Sequence, residues 1–196
     1  MSQPRLRSDA GQVFPIYITV VAGLLFVAFA FFAVGQAAVK RNEAQTAADA
    51  AALAAAQETR DELADLWVLA VLDPTKWQDI FDGDGGSNRC ERAVELAAMN
   101  DATAQCSPDG PLSYRVEVAT NKPIGESVVP GTAGRLAHAE AVAVIEPLCD
   151  PPGQIPPGNG LPTLNCDDDV DWVLDPADLT DLPAPEDLFD VHLADG

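Results

Sequence analysis

The sequence predicts an α+β protein in which a long N-terminal membrane-spanning helix continues into a small domain of helices and antiparallel strands, followed by a disordered acidic tail. Three observations predict this class. Residues 10–39 carry no charged side chain, residues 112–120 alternate between apolar and polar, and residues 150–196 hold 12 acidic residues without any Lys or Arg. A chain of 196 residues has room for one small domain with these additions.

The predicted domain boundaries follow the changes in composition. We expect a cytoplasmic N-terminus at 1–12, a transmembrane helix at 13–39, an Ala-rich helical extension at 40–72, an extracellular α+β domain at 73–149 and a mostly disordered Pro- and Asp-rich tail at 150–196. The formal net charge of -20 lies almost entirely beyond the apolar segment. Because this charge repels phosphate backbones, no nucleic-acid partner is expected.

The apolar segment is long enough to cross a bilayer. Residues 16–35 include only Tyr17 and Thr19 as polar side chains, and about 20 apolar helical residues span a hydrocarbon core of ~30 Å. Apolar regions of secretory signal peptides are shorter, so an uncleaved anchor is favoured over a signal peptide cleaved near Gly35. The lipid bilayer is therefore a predicted partner. The residues that mark the span are Ile16, Leu24, Leu25, Phe26, Phe29, Phe31, Phe32 and Val34.

The orientation of the span depends on what lies beyond it, because its flanking charges are nearly balanced. Arg5 and Arg7 precede the segment, and Lys40 and Arg41 follow it. All four cysteines come after the span, and an even number of cysteines suits an oxidising exterior. The sequence predicts a single-pass protein of the cell membrane with a cytoplasmic N-terminus and an extracellular C-terminal domain.

Helix-forming residues continue beyond the apolar segment without a break. Residues 42–56 are rich in Ala, the best helix former, and lack Gly and Pro. Asp73-Pro74 ends the run, because the residue before proline is disfavoured in a helix. One helix from about Phe14 to Leu72 is predicted. Its alanines form a small-residue face that suits close helix packing, and a plain helical spacer is the alternative.

The residues around the span resemble a known family. Ala10-Gly11-Gln12 precedes the span, and residues 42–54 read NEAQTAADAAALA after it. Over roughly residues 8–60 the chain resembles TadE/TadG-like proteins, pseudopilin-type components of the bacterial Tad (Flp) pilus assembly system. The resemblance implies a pilin-like domain, a structural and non-catalytic role in pilus assembly, and contacts with other Tad/Flp pilus-assembly or pseudopilin proteins through the N-terminal helix. It designates as motif and helix-packing residues Gln45, Ala47, Ala48, Asp49, Ala51, Ala52 and Leu53.

Beyond the helix, the pattern predicts a small α+β unit. A turn-rich connection at 73–88 leads to a helix at 90–98, where apolar residues recur at helical spacing. Strands are expected at 112–120 and 135–145, with a further short strand possible at Ser127–Val129. The second strand carries alternating alanines on one face, which would let a helix lie close against the sheet.

The cysteines are expected to stabilise this small domain as disulfides. The local pairs are Cys90 with Cys106 and Cys149 with Cys166, but four cysteines allow three pairings and the sequence does not choose among them. A zinc site is disfavoured, since no Cys-x-x-Cys pair occurs and the histidines are not clustered. A calcium loop starting at Asp82 lacks the required ligands. No metal and no cofactor are predicted.

No group of residues predicts catalysis, so the chain is not expected to be an enzyme. His138 falls on a predicted strand and His192 in the predicted tail, and neither has an evident catalytic partner. The charged exterior leaves a second functional class open. In that alternative the protein is a membrane-tethered envelope binding module with no role in a filament.

Overall fold

The main feature of the structure is one long helix whose C-terminal half lies on a four-stranded antiparallel sheet. This computed structural model describes residues 13–123, 134–151, 160–167 and 170–194. The predicted cytoplasmic N-terminus at 1–12 and the strand considered at Ser127–Val129 lie outside the described residues.

Helix α1, Val13–Leu69, is continuous over 57 residues. It is therefore about 85 Å long, from the helical rise per residue. The predicted long N-terminal helix is confirmed, although it ends three residues before Leu72. The chain turns there because the carbonyl of Ala70 accepts hydrogen bonds from the Asp73 amide at 2.8 Å and the Trp77 indole at 3.2 Å.

Two shorter helices follow the turn. The connection predicted to be turn-rich contains a 3₁₀ turn at Pro74–Lys76 and helix α2 at Trp77–Phe81. Trp77 is fully buried against Trp67, with ring centroids 5.3 Å apart. Helix α3 spans Cys90–Met99, where a helix was predicted, and it buries small residues against α1 and the sheet.

The first three strands form an antiparallel meander. They are β1 at Ala102–Pro108, β2 at Ser113–Thr120 and β3 at His138–Pro147. The sequence predicted β2 and β3 but missed β1. The predicted alternation is confirmed on the face toward α1, where the buried residues are Tyr114, Val116, Val118, Ala141, Ala143 and Ile145.

Much of the chain beyond residue 149 is folded where the structure describes it, at 150–151, 160–167 and 170–194, which corrects the expectation of a mostly disordered tail at 150–196. Strands β4 at Cys149–Asp150, β5 at Leu164–Cys166 and β6 at Val170–Trp172 form a small second sheet. Helix α4 at Pro185–Leu188 leads into β7 at Phe189–Leu193, which pairs with β3. The main sheet has the order β1-β2-β3-β7.

The described part of the tail folds because its few apolar residues reach the core while its acidic side chains stay exposed. Leu164, Leu188 and Phe189 are fully buried, and the Phe189 ring lies 5.2 Å from that of Phe81, centroid to centroid. Asp190, between two inward-facing positions of β7, is exposed. The folded unit therefore extends across the boundaries predicted at 72/73 and 149/150.

Candidate membrane anchor and helix surface

Helix α1 divides into two parts with different surroundings. From Phe14 to Glu43, nearly all described side chains are exposed, whichever way they face. From Ala44 onward, one face of the helix is buried against the sheet and α3. The same helix thus presents an uncovered apolar cylinder and then an ordinary amphipathic packing surface.

The exposed part has the length and composition of a membrane span. Among the described residues, α1 is the one helix long and apolar enough to cross a membrane, and its most apolar stretch has no buried side chain. Phe26, for example, is 74% exposed. All of the predicted span residues are exposed large apolar side chains: Ile16, Leu24, Leu25, Phe26, Phe29, Phe31, Phe32 and Val34. Within the described chain, no protein packing covers this surface.

Charged groups meet where the apolar surface ends. Lys40 pairs with Glu43 on α1. Lys122, just after β2, pairs with Asp101, just before β1, at the end of the sheet that is nearer to Lys40. A hydrogen bond from Lys122 lowers the pKa of Asp101, and the same contact raises the pKa of Lys122. Both lysines line one open groove of about 630 Å³, so the junction between helix and domain is polar.

The family motif lies on the first buried turns of α1. Its alanines are almost completely buried and belong to the core: Ala47, Ala48, Ala51 and Ala52. The Gln45 amide donates to Asp49 Oδ1 at 2.7 Å and to the Glu140 carbonyl at 3.3 Å, while Leu53 is half-buried. The alanine face therefore packs within this chain. A role for these seven residues in packing against other proteins stays a prediction.

A polar cluster in the last third of α1 connects the helix to the sheet. Thr59 Oγ1 lies 2.8 Å from Tyr114 Oη, and both residues are buried. Arg89, just before α3, forms ion pairs with Glu58 and Glu62 on α1. Sequence reasoning missed this cluster. Its signal was a threonine on the alanine face of the helix and a tyrosine on the inward face of β2.

Glu62 is held in its ionised form by this cluster. Burial by itself would raise the pKa of Glu62, but hydrogen bonds from Ser87 and Arg89, together with the Arg89 charge, lower it below its ordinary value. Glu62 accepts from the Ser87 amide at 2.9 Å and from the Ser87 hydroxyl at 2.7 Å. The carboxylate therefore ties the loop before α3 to the long helix.

Two disulfides link neighbouring elements of the domain. Cys90–Cys106 joins the start of α3 to β1, and Cys149–Cys166 joins β4 to β5. The sequence allowed three ways of pairing the four cysteines, and the structure has the one in which each cysteine bonds its neighbour along the chain. Each closes a short loop, for which a disulfide contributes about 3 kcal/mol through the unfolded state.

Both histidines lie on strands. His138 begins β3, and His192 lies on β7 instead of in a disordered tail, with its Nδ1 2.9 Å from Asp190 Oδ2. Both are exposed or half-exposed. In the described ranges, no cluster of three or more His, Cys, Asp or Glu side chains has the arrangement of a metal site.

Fold and surface together define a class of protein: a small disulfide-stabilised α+β domain built on the C-terminal half of a helix whose N-terminal half is long and apolar enough to cross a membrane. Residues 11–58 match the family described as Putative Flp pilus-assembly TadE/G-like. This match confirms the resemblance over that segment, which comprises the apolar half of α1 and its alanine motif. Comparison with curated proteins gave no match, and comparison with solved structures gave none either.

Proposed function

We propose that this protein is a non-catalytic structural component of a Tad/Flp-type pilus assembly system, held in the cell membrane by its N-terminal helix. One observation carries the proposal. The segment that matches the pilus-assembly family is the same segment that forms the exposed apolar helix and its first buried turns. The similarity thus falls on the part of the chain that connects bilayer and domain.

Anchoring is supported by the energetics of the exposed half of α1. Large apolar side chains cover every side of the helix between Ile16 and Val34, and each Phe or Leu transferred from water into an apolar phase contributes about 1.5–3 kcal/mol. The polar junction at Lys40, Glu43 and Lys122 lies where the headgroup region of a bilayer would begin. We assign residues 13–39 to the span.

The proposed orientation places the folded domain outside the cytoplasm. Disulfides persist in oxidising compartments, and the described domain has two of them and no free cysteine. The acidic surface does not oppose this orientation, since long domains are translocated largely regardless of their charge. The N-terminal residues would then lie in the cytoplasm, and the helix would cross once.

Contacts with other pilus-assembly proteins are proposed for the surface of α1 that its own domain leaves free. That surface comprises the apolar half and, beyond it, the side of the helix opposite the alanines, where Gln57, Asp61 and Asp65 are exposed. The buried alanines already serve the sheet of this chain. A neighbouring helix would therefore approach within the membrane or along the polar side.

The decisive experiment combines a functional and a contact readout in the native host. Deleting the gene should abolish or strongly reduce surface pili, measured by electron microscopy and shear-release immunoblots, and the full chain should restore them. A photo-crosslinking residue replacing Phe29 or Gln57 should then trap proteins of the pilus system, whereas the same residue at exposed Val173 should not. Normal piliation in the deletion strain, with no specific crosslink, would favour the envelope binding module.

A further inference from the structure

An exposed apolar groove lies at the end of α1 that is farthest from the proposed membrane span. Its apolar lining comes from Leu66 and Leu69 in the last turn of α1, from Leu72 in the turn that follows, and from Ile80 of α2. Leu69 is 84% exposed and Leu72 is 60% exposed. The groove has a volume of about 600 Å³, which is large enough for one or two side chains of a partner.

Neither the domain's own core nor a bilayer accounts for these exposed side chains. The inward face of the same helical turns is already occupied by Leu63, Trp67 and Val71, which are buried in the core. Leu69 lies about 40 Å along the helix axis from Glu43, where the exposed apolar half ends. Lipid around the span would not reach a surface at the opposite end of the domain.

The rim of the groove is strongly acidic. Asp73, Asp79 and Asp84 line it, against a single base, Lys76. Lys76 lies 3.5 Å from Asp73, and both side chains are largely exposed. A partner that places an apolar side chain in the groove thus meets a rim with a net negative charge, which favours adjacent positive groups.

The groove is shaped by fixed elements before any partner arrives. The Trp77 indole donates to the Ala70 carbonyl at 3.2 Å and holds α2 against the end of α1. Gly85 closes one side with a positive φ of 94°, and a Cβ there would lie 3.1 Å from Leu66 Cδ1. A preformed site reduces the ordering cost of binding.

We propose that this groove docks a partner protein through a segment that places a large apolar side chain next to Lys or Arg. A second copy of this chain is a poorer occupant by charge, because most arginines of the described domain already form ion pairs within it: Arg60, Arg89, Arg92 and Arg115. The proposal does not depend on the pilus assignment. It requires only the folded domain.

The test uses the full chain in detergent micelles and a displayed library of random peptides as the probe. Enriched peptides should carry Leu, Phe or Trp beside Lys or Arg. Their affinity should fall at least about tenfold for the double variant Leu69→Ser/Leu72→Ser, since two apolar contacts are lost. It should fall by about three- to tenfold for Asp79→Asn/Asp84→Asn and should weaken with added salt. Val173→Ser removes an equally exposed apolar side chain elsewhere and should leave binding unchanged.

Three results would overturn the proposal. The first is that no peptide is enriched, or that the enriched peptides lack basic residues. The second is equal binding to the Leu69→Ser/Leu72→Ser variant, with an unchanged unfolding midpoint showing that this variant is folded. The third is a dimer of the wild-type chain, seen by light scattering, that dissociates in the same variant, since the occupant would then be a second copy.

Discussion

The hydroxyl of Tyr114 makes the most testable connection between the long helix and the sheet. Its oxygen lies 2.8 Å from Thr59 Oγ1, 3.2 Å from the Arg89 amide and 3.2 Å from the Ser87 carbonyl. Tyr114→Phe removes this hydroxyl and leaves the Thr59 hydroxyl buried without a partner. A buried polar group left in this way costs about 1–3 kcal/mol in the free energy of unfolding, and for a domain of this size each kcal/mol lowers Tm by roughly 2–4 °C.

The assay is unfolding of the full chain in detergent, followed by tryptophan fluorescence in urea and by thermal melting. Thr59→Val combined with Tyr114→Phe removes both hydroxyls of the buried pair, so the double variant should lose less stability than the two single variants summed. Thr46→Val, an exposed threonine on the same helix, is the matched control and should change little. An unchanged midpoint for Tyr114→Phe, or full additivity in the double variant, would refute this reasoning.

Three further predictions concern the carboxylate cluster, the span and the C-terminal strand. The pKa of Glu62 is lowered in the folded protein, so the contribution of its carboxylate to stability is present above the unfolded pKa and is lost as pH falls through the folded pKa. In urea unfolding midpoints measured over a series of pH values, Glu62→Gln should therefore reduce the loss of stability at acidic pH. Phe29→Arg should weaken membrane retention in carbonate extraction, because a central Arg costs about 2.5–3.5 kcal/mol on insertion, whereas Phe29→Leu should be retained like the wild type. Phe189→Ala should lower the free energy of unfolding by about 3–5 kcal/mol, whereas Val173→Ala should have almost no effect; equal effects would contradict a folded tail.

Local patterns were sufficient to predict the long helix. An uncharged apolar run is followed by an Ala-rich segment without Gly or Pro, and both segments favour a helix. The two together therefore predict one continuous helix over the range of α1. The inward faces of β2 and β3 were equally readable, because apolar and polar residues alternate there. These features depend on neighbours in sequence.

The missed elements depend on contacts between distant residues. Strand β1 reads ATAQCSP, whose inward alanines are too small to give a clear apolar pattern, and it is held by pairing with β2. In the tail, acidic composition hid the alternation of Phe189, Val191 and Leu193, which form an ordinary half-buried strand. The net charge predicted the acidic surface of the tail correctly and its disorder wrongly, because the acidic residues of the described part of the tail occupy exposed positions.

The distal groove was beyond sequence reasoning for a different reason. In the sequence, Leu63, Trp67, Leu69 and Leu72 read as one apolar patch at helical spacing. In the structure this patch divides. Leu63 and Trp67, four residues apart on one face of α1, enter the core, whereas Leu69, on another face, and Leu72, beyond the end of the helix, remain exposed. The helix face and the residue at which the helix ends together decide which of these residues are exposed to solvent.

The position of β7 in the sheet determines when the main sheet can be completed during synthesis. A chain is made from its N-terminus, yet the open edge of β3 is covered by Phe189–Leu193, close to the C-terminal limit of the described residues. Until that strand emerges, β3 and Phe81 lack their final neighbours, and an uncovered strand edge invites wrong pairing. Synthesis that halts before Phe189 would therefore leave helix α1 complete but the edge of β3 uncovered.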